Sequence, residues 1–226
     1  MAIAKLLQTM TDRVAKLSAG SASAAAETMK RAVAIHGSLR GIQEPIAKRA
    51  AEEQRNGAWL KENVAKAYAG KFAEIARLRH QNNLARQRHE QNKPKLPEFD
   101  RTDVFAAMET MELAKRVAAT TGPMKRLNLS PMEKIAALRM PEIAGLSPSQ
   151  ADAWGNDILK SLEPARMQAH AESAEALSEA DRAIDIVKLA FQREAGFVDG
   201  DGFPSPQWRS YEHEQLKILQ SEFETA

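Results

Sequence analysis

A basic segment between residues 71 and 95 is the part of the sequence whose residue types best suit contact with an anionic partner. Only two acidic residues, Glu74 and Glu90, interrupt it, and the amide-rich run 81–83 lies inside it. Lysine and arginine bind nucleic-acid phosphates in a way that depends on salt and little on base sequence. The predicted contact residues are Lys71, Arg77, Arg79, Arg86, Arg88, Lys93 and Lys95.

The positive charge of this segment is spread around the predicted helix. At about 100° per residue, Arg79 lies on the same side as Arg86, whereas Arg77 and Arg88 lie nearly opposite. Such a distribution suits a phosphate-lined cavity or an acidic protein partner better than a single groove of DNA. A helix face that meets only solvent is the third interpretation, and the sequence leaves all three open.

Metal chemistry and thiol chemistry have little support in the sequence. Cysteine is absent, so thiolate ligands, disulfides and a cysteine nucleophile are excluded. None of the five histidines has another histidine three or four positions away. If Gly202 occupied the glycine position of a calcium-binding loop, Phe197 would have to be the first ligand and Trp208 the last. Neither side chain has an oxygen that could bind calcium. We therefore predict no metal and no cofactor.

Motifs for phosphate cradles and for a nucleophilic serine are also missing. The Gly70-Lys71 pair is followed by Phe72, where a P-loop requires serine or threonine. The Gly-Ser-Leu-Arg-Gly run at 37–41 lacks the spacing of a nucleophile elbow. We predict that the protein is not an enzyme and has no catalytic residues, and no small-molecule ligand is evident.

The composition predicts an all-α protein. Apolar residues make up 43% of the chain, with alanine prominent, while aromatic residues make up only 5%. Alanine and leucine favour helices, and residues that favour strands are scarce. No proline occurs between Pro45 and about Gln91, which predicts a helix of about 45 residues and about 65 Å. A segment of this length indicates either an elongated molecule or a hairpin bent at a glycine, for which Gly57 and Gly70 are the candidates. We predict an elongated multi-helix protein with long helices and no sheet.

Short motifs predict several helix boundaries. Ser130 and Ser147 each precede a proline and lie three residues before Glu or Gln, which is the pattern of a capping box. These motifs predict helices over 131–139 and 148–162. Asp103 is the predicted cap of a helix that runs to about residue 120. Pro164 is the predicted start of a helix that ends near residue 195, and a last helix is predicted from about 208 to 223.

Two sets of apolar residues recur at helical or heptad spacing and are predicted to form helix–helix contacts. The first stripe spans only about two heptads, too few for a coiled coil by itself, so it must pack on the same chain or on another copy. The predicted interface residues are Ile3, Leu7, Met10, Val14 and Leu17 near the start of the chain, and Leu177, Ile184, Val187 and Phe191 near its end.

The net charge of +2 conceals two oppositely charged parts. Residues 1–96 carry 18 lysines and arginines against 8 acidic residues, whereas residues 97–226 carry 14 against 22. The change of sign coincides with the Lys-Pro-Lys-Leu-Pro segment at 93–97, which we interpret as a linker. We predict a basic long-helix region over 1–95 and an acidic helical region over 96–226. The two could pack on each other, stack between subunits, or meet separate partners.

These features predict a non-enzymatic structural or assembly protein that acts as a subunit of a larger oligomeric complex. A virion or similar particle is one such complex. The alternative is a nucleic-acid-associated helical protein that uses the 71–95 segment. Predicted partners are further copies of the chain or other protein subunits, with nucleic acid as the alternative. The sequence contains no run of about 18 uncharged apolar residues, so we predict no membrane span. The first residues lack a secretory signal pattern, which predicts synthesis in the cytoplasm.

Overall fold

The computed structural model describes residues 2–17, 22–39, 41–96, 102–120, 128–197 and 205–224. Helices contain 86% of these residues, and none of the described residues lies in a strand. The predicted all-α class with several long helices is therefore confirmed. Its physical basis is the excess of alanine over the β-branched and aromatic residues that stabilise sheets.

The helices of the described residues differ widely in length. The two longest have 35 and 31 residues, well above the average of about 12 for globular proteins. In chain order the helices are α1 Ala2–Lys16, α2 Ala22–Leu39, α3 Gln43–Glu52, α4 Gly57–Gln91, α5 Val104–Ala119, α6 Pro131–Arg139, α7 Pro141–Ala144, α8 Pro148–Leu162, α9 Pro164–Glu194 and α10 Pro206–Glu224.

Both predicted capping boxes are present, and they start helices α6 and α8 at the predicted residues. The Ser130 hydroxyl accepts from the Glu133 N–H, and the Glu133 carboxylate accepts from the Ser130 N–H at 2.8 Å. Ser147 and Gln150 make the same reciprocal pair, with 3.1 Å between the Ser147 nitrogen and the amide oxygen. The predicted Asp103 cap is also confirmed, because its carboxylate accepts from the Ala106 N–H at 3.0 Å.

The helix predicted from Pro45 to Gln91 is divided into α3 and α4. Between them Gln54 adopts a left-handed φ of 48°, and the Asn56 side chain accepts from the Trp59 N–H at 2.9 Å. An asparagine that binds the backbone three residues later starts a new helix rather than continuing the old one. Glycine destabilises the interior of a helix, and Gly57 is accordingly the first residue of α4.

The first of two compact units combines residues 1–92 with residues 171–226. Helix α1 packs on α2, and helices α2, α3 and α10 pack on α4. One apolar core is shared by side chains of α1, α2, α4, α9 and α10. This core includes a cluster of aromatic rings in edge-to-face, tilted or stacked contact, which comprises Tyr68, Phe72, Phe191, Phe197, Trp208 and Tyr211.

The second unit consists of residues 93–170. Helix α5 packs against α6 and α7, and α6 also packs against α7 and α8. Its main core cluster is built from the small side chains Ala114, Val117, Ala137 and Ala144. One boundary between the units falls at Lys93, where the sequence predicts a linker, and the other falls within α9 at Ala171. The division into regions 1–95 and 96–226 stays a prediction.

Candidate interaction site

Helix α5 has apolar side chains on two opposite sides. Ala114 and Val117 are fully buried in the core of the second unit. At about 100° per residue, Val104, Phe105 and Met108 fall on the opposite side of the helix. Their exposed fractions are 64%, 86% and 57%. No described part of the chain buries these three side chains, which together form the outward face of α5.

The start of α5 is well defined, and this positions the outward face. The Asp103 carboxylate caps the helix immediately before Val104, so Val104 and Phe105 belong to its first turn. Within the helix the Thr110 hydroxyl donates to the Ala106 carbonyl at 2.7 Å, so this buried polar group is satisfied. The outward face is therefore presented by a regular helix with a capped end.

The second unit buries Ile158 and Leu159 but leaves several other large apolar residues exposed. Phe105 and Met108 on α5 and Met132 on α6 are exposed, whereas Ala137 and Ala144 are buried. Burying a phenylalanine or methionine side chain contributes about 1.5–3 kcal/mol, which this unit does not gain within its own core. Exposed apolar side chains grouped on one helix, such as Phe105 and Met108, are typical of protein–protein contacts.

No sequence motif marks this outward face. The usable signal was the distribution of apolar residues at positions 104, 105, 108 and 111 in addition to 114 and 117. These two sets cannot both face a single core in a helix with 3.6 residues per turn.

The two predicted interface sets lie in the same core within the first unit. Leu7, Met10 and Val14 are buried there, and Ile3 and Leu17 pack against it in part. The second set is buried almost completely and comprises Leu177, Ile184, Val187 and Phe191. The structure thus brings both sets together inside one chain. Their predicted role between subunits stays a prediction.

Most of the basic segment is paired with carboxylates of the same chain. Arg77 makes a two-pronged contact with Glu222 of α10, with 2.9 Å between Nη2 and Oε2. Lys71 pairs with Glu74 one turn away at 2.8 Å. Two further arginines pair with α9, namely Arg79 with Asp185 and Arg86 with Asp181. The basic N-terminal part and the acidic C-terminal part therefore neutralise each other within the first unit.

The remaining three predicted contact residues are exposed. Among the residues that the structure describes, no carboxylate lies within ion-pair distance of Arg88, Lys93 or Lys95. Arg88 is near the end of α4, and Lys93 and Lys95 belong to the second unit. Of the seven cations predicted to contact nucleic acid or an acidic partner, only these three have no carboxylate partner among the described residues.

Asn82, inside the amide-rich run of the basic segment, is a fully buried residue of the α4–α9 contact. Its amide nitrogen donates to the Leu177 carbonyl at 3.3 Å and to the Asp181 carboxylate at 2.9 Å. Asp181 also pairs with Arg86, so one carboxylate joins two side chains of α4. The hydrogen bonds assign Asn82 to helix packing.

The described parts of the chain contain no group of three or more His, Cys, Asp or Glu side chains that could hold a metal. The Asp-Gly segment 199–202 lies outside the described residues. Within the described helices, none is both long enough and apolar enough to cross a membrane.

Comparison of the chain with models of protein families, with curated proteins and with solved structures gives no match. The proposal for its function therefore depends on the geometry of its own residues, of which the outward face of α5 is the most distinctive.

Proposed function

We propose that the protein is a non-enzymatic assembly protein that acts as a subunit of an oligomeric complex and uses the outward face of α5 as its contact. The observation that carries the proposal is the 86% exposure of Phe105 next to exposed Val104 and Met108. Large apolar side chains in the middle of a contact contribute most of its binding energy. A virion or a similar particle, in which many copies of a chain contact one another, is one such complex.

A second copy of the chain is the proposed occupant of this face. An apolar helix face is complementary to itself, so two copies can bury it in a symmetric contact. The charges beside it fit this arrangement, because Glu112 and Lys115 supply both signs and pair within α5 at 3.1 Å. The face therefore carries no excess of one charge that would repel its copy.

The test is the mass of the chain in solution, measured by light scattering after size exclusion at about 0.15 M salt, where surface charges are screened. We expect a multiple of 24.9 kDa for the unaltered chain. We expect the double variant Phe105→Glu/Met108→Glu to weaken the association at least about 100-fold, because two apolar anchors are lost and charge is buried.

The matched control is Ile218→Glu, which introduces the same charge at a residue of α10 that is 60% exposed in the first unit. This variant should keep the mass of the unaltered chain. An unaltered chain of 24.9 kDa at every concentration would contradict the proposal. A double variant with an unchanged oligomeric mass would also contradict it.

The alternative function, binding of nucleic acid by the 71–95 segment, has weaker support from the geometry. Arg77, Arg79 and Arg86 already contact carboxylates of α9 and α10, so nucleic acid would have to displace those partners. A chain that is monomeric in the mass measurement would move the balance toward this alternative.

A further inference from the structure

A cleft of about 480 Å³ opens between α2 and α4 in the first unit. Its floor is formed by the buried side chains of Ile35 and Leu78. Besides Ile35, helix α2 contributes the short side chains of Ala34 and Ser38 to the lining, which leave space between the two helices. Its volume lies in the range of about 300–1,000 Å³ that is typical of small-molecule sites.

Three cationic side chains lie at the rim of the cleft, namely Arg31 from α2 and Lys71 and Arg77 from α4. Glu74 is the one carboxylate among the described lining residues, although each of the three cations pairs with a carboxylate. Arg31 reaches across the opening, and its Nη1 donates to the Gln81 amide oxygen at 3.0 Å. An apolar floor below a cationic rim matches a ligand that has an apolar body and an anionic end.

The carboxylates that balance these cations are exposed and can be exchanged. Lys71 pairs with Glu74, Arg77 with Glu222, and Arg31 with Glu27, and the three carboxylates are 45%, 47% and 56% exposed. Exposed ion pairs contribute only about 0–1 kcal/mol each. An entering anion has to displace these carboxylates, and it can do so by accepting from two of the cations at once.

We propose that the α2–α4 cleft binds a small organic phosphomonoester whose apolar body lies on Ile35 and Leu78 and whose phosphate contacts Lys71 and Arg77. A phosphomonoester has three acceptor oxygens and a charge near −2 at neutral pH, which suits a cleft lined by both an ammonium and a guanidinium. All lining residues belong to the first unit, so this site is independent of the proposed contact of α5.

Binding is tested by calorimetry on the full chain with three probes: 1-naphthyl phosphate, neutral 1-naphthol and inorganic phosphate. We expect 1-naphthyl phosphate to bind at one site per chain, and at least about tenfold more tightly than either of the other two. Its affinity should fall as salt rises, because the contact with Lys71 and Arg77 is electrostatic. Equal affinity for 1-naphthol would show that the cations take no part and would overturn the proposal.

Two variants address the cleft directly, and each has a control elsewhere on the same helix. Ala34→Phe fills the cleft from an exposed position of α2 and should abolish binding, whereas Ala24→Phe on the same helix should not change it. Lys71→Gln/Arg77→Gln should weaken binding at least about tenfold. The control Lys66→Gln removes a cation of α4 that pairs with Glu62 outside the cleft.

Circular dichroism of each variant confirms that the helices are retained before affinities are compared. Binding that survives in Ala34→Phe would place the ligand elsewhere and would overturn the proposal. Lack of binding by the unaltered chain at about 1 mM 1-naphthyl phosphate would overturn it as well.

Discussion

Tyr68 shows how burial of a single side chain changes its titration. Its ring is buried against Phe191, and within the described residues its hydroxyl has no hydrogen-bond partner. Burial, together with the negative charge of Glu194, raises the pKa of Tyr68 to about 12. Burial also raises the pKa of Tyr211, the other tyrosine of the chain. Both rings belong to the aromatic cluster of the first core.

Replacement of Tyr68 by phenylalanine should stabilise the protein. At neutral pH we expect the free energy of unfolding to rise by about 1 kcal/mol, because an unsatisfied buried hydroxyl is removed. An unfolded tyrosine ionises at a pH of about 10, whereas Tyr68 in the folded chain keeps its proton until about pH 12. The unaltered chain should therefore lose stability as the pH rises through this range. Urea unfolding at pH 7 and 11 measures both effects. An identical alkaline loss in Tyr68→Phe would contradict this assignment.

At the scale of one element, the start of α6 depends on a reciprocal contact between Ser130 and Glu133. The backbone N–H and the hydroxyl of Ser130 both donate to the Glu133 carboxylate, which lowers the pKa of Glu133. Such contacts are local, which is why the sequence predicts them correctly. The break between α3 and α4 was harder to predict, because Asn56 can cap a helix or lie inside one.

Loss of the Ser130 cap should destabilise the second unit and change its dependence on pH. We expect Ser130→Ala to lower the free energy of unfolding by about 1 kcal/mol at pH 7, while Ser130→Thr keeps the cap. A lowered pKa means that the contribution of Glu133 is present above its unfolded value and is lost as the pH falls below about 4. Thermal unfolding followed by circular dichroism at pH 7 and 3 tests this. If Ser130→Ala lost as much stability relative to the unaltered chain at pH 3 as at pH 7, this role of Glu133 would be contradicted.

At the scale of the whole molecule, the core of the first unit needs both ends of the chain. Leu7 and Phe72 from the first part share this core with Ile184, Phe191 and Trp208 from the last part. Phe191 is fully buried, and loss of such a ring costs about 3–5 kcal/mol. Removal of the whole C-terminal contribution exceeds the total stability of a typical domain.

A fragment of residues 1–95 should therefore not fold by itself. We expect reduced helix content and no cooperative unfolding for this fragment, because α1, α2 and α4 lose the apolar surface of α9 and α10. Addition of a second fragment, residues 163–226, should restore a cooperative transition. Circular dichroism with thermal unfolding measures both. A fragment 1–95 that unfolds cooperatively without its complement would instead support an independent N-terminal domain.

The sequence by itself determined the all-α class, the absence of thiol chemistry and the starts of α5, α6 and α8. Those properties depend on composition or on residues three or four positions apart. Only the tertiary structure decided that the two predicted interface sets share one core, that Arg13 pairs with Glu175 across 162 positions and that Asn82 contacts Asp181 across 99. It also left one side of α5 exposed among the described residues and opened the α2–α4 cleft. A helical pattern states which side of a helix is apolar, but the surface that covers that side depends on how distant parts of the chain pack.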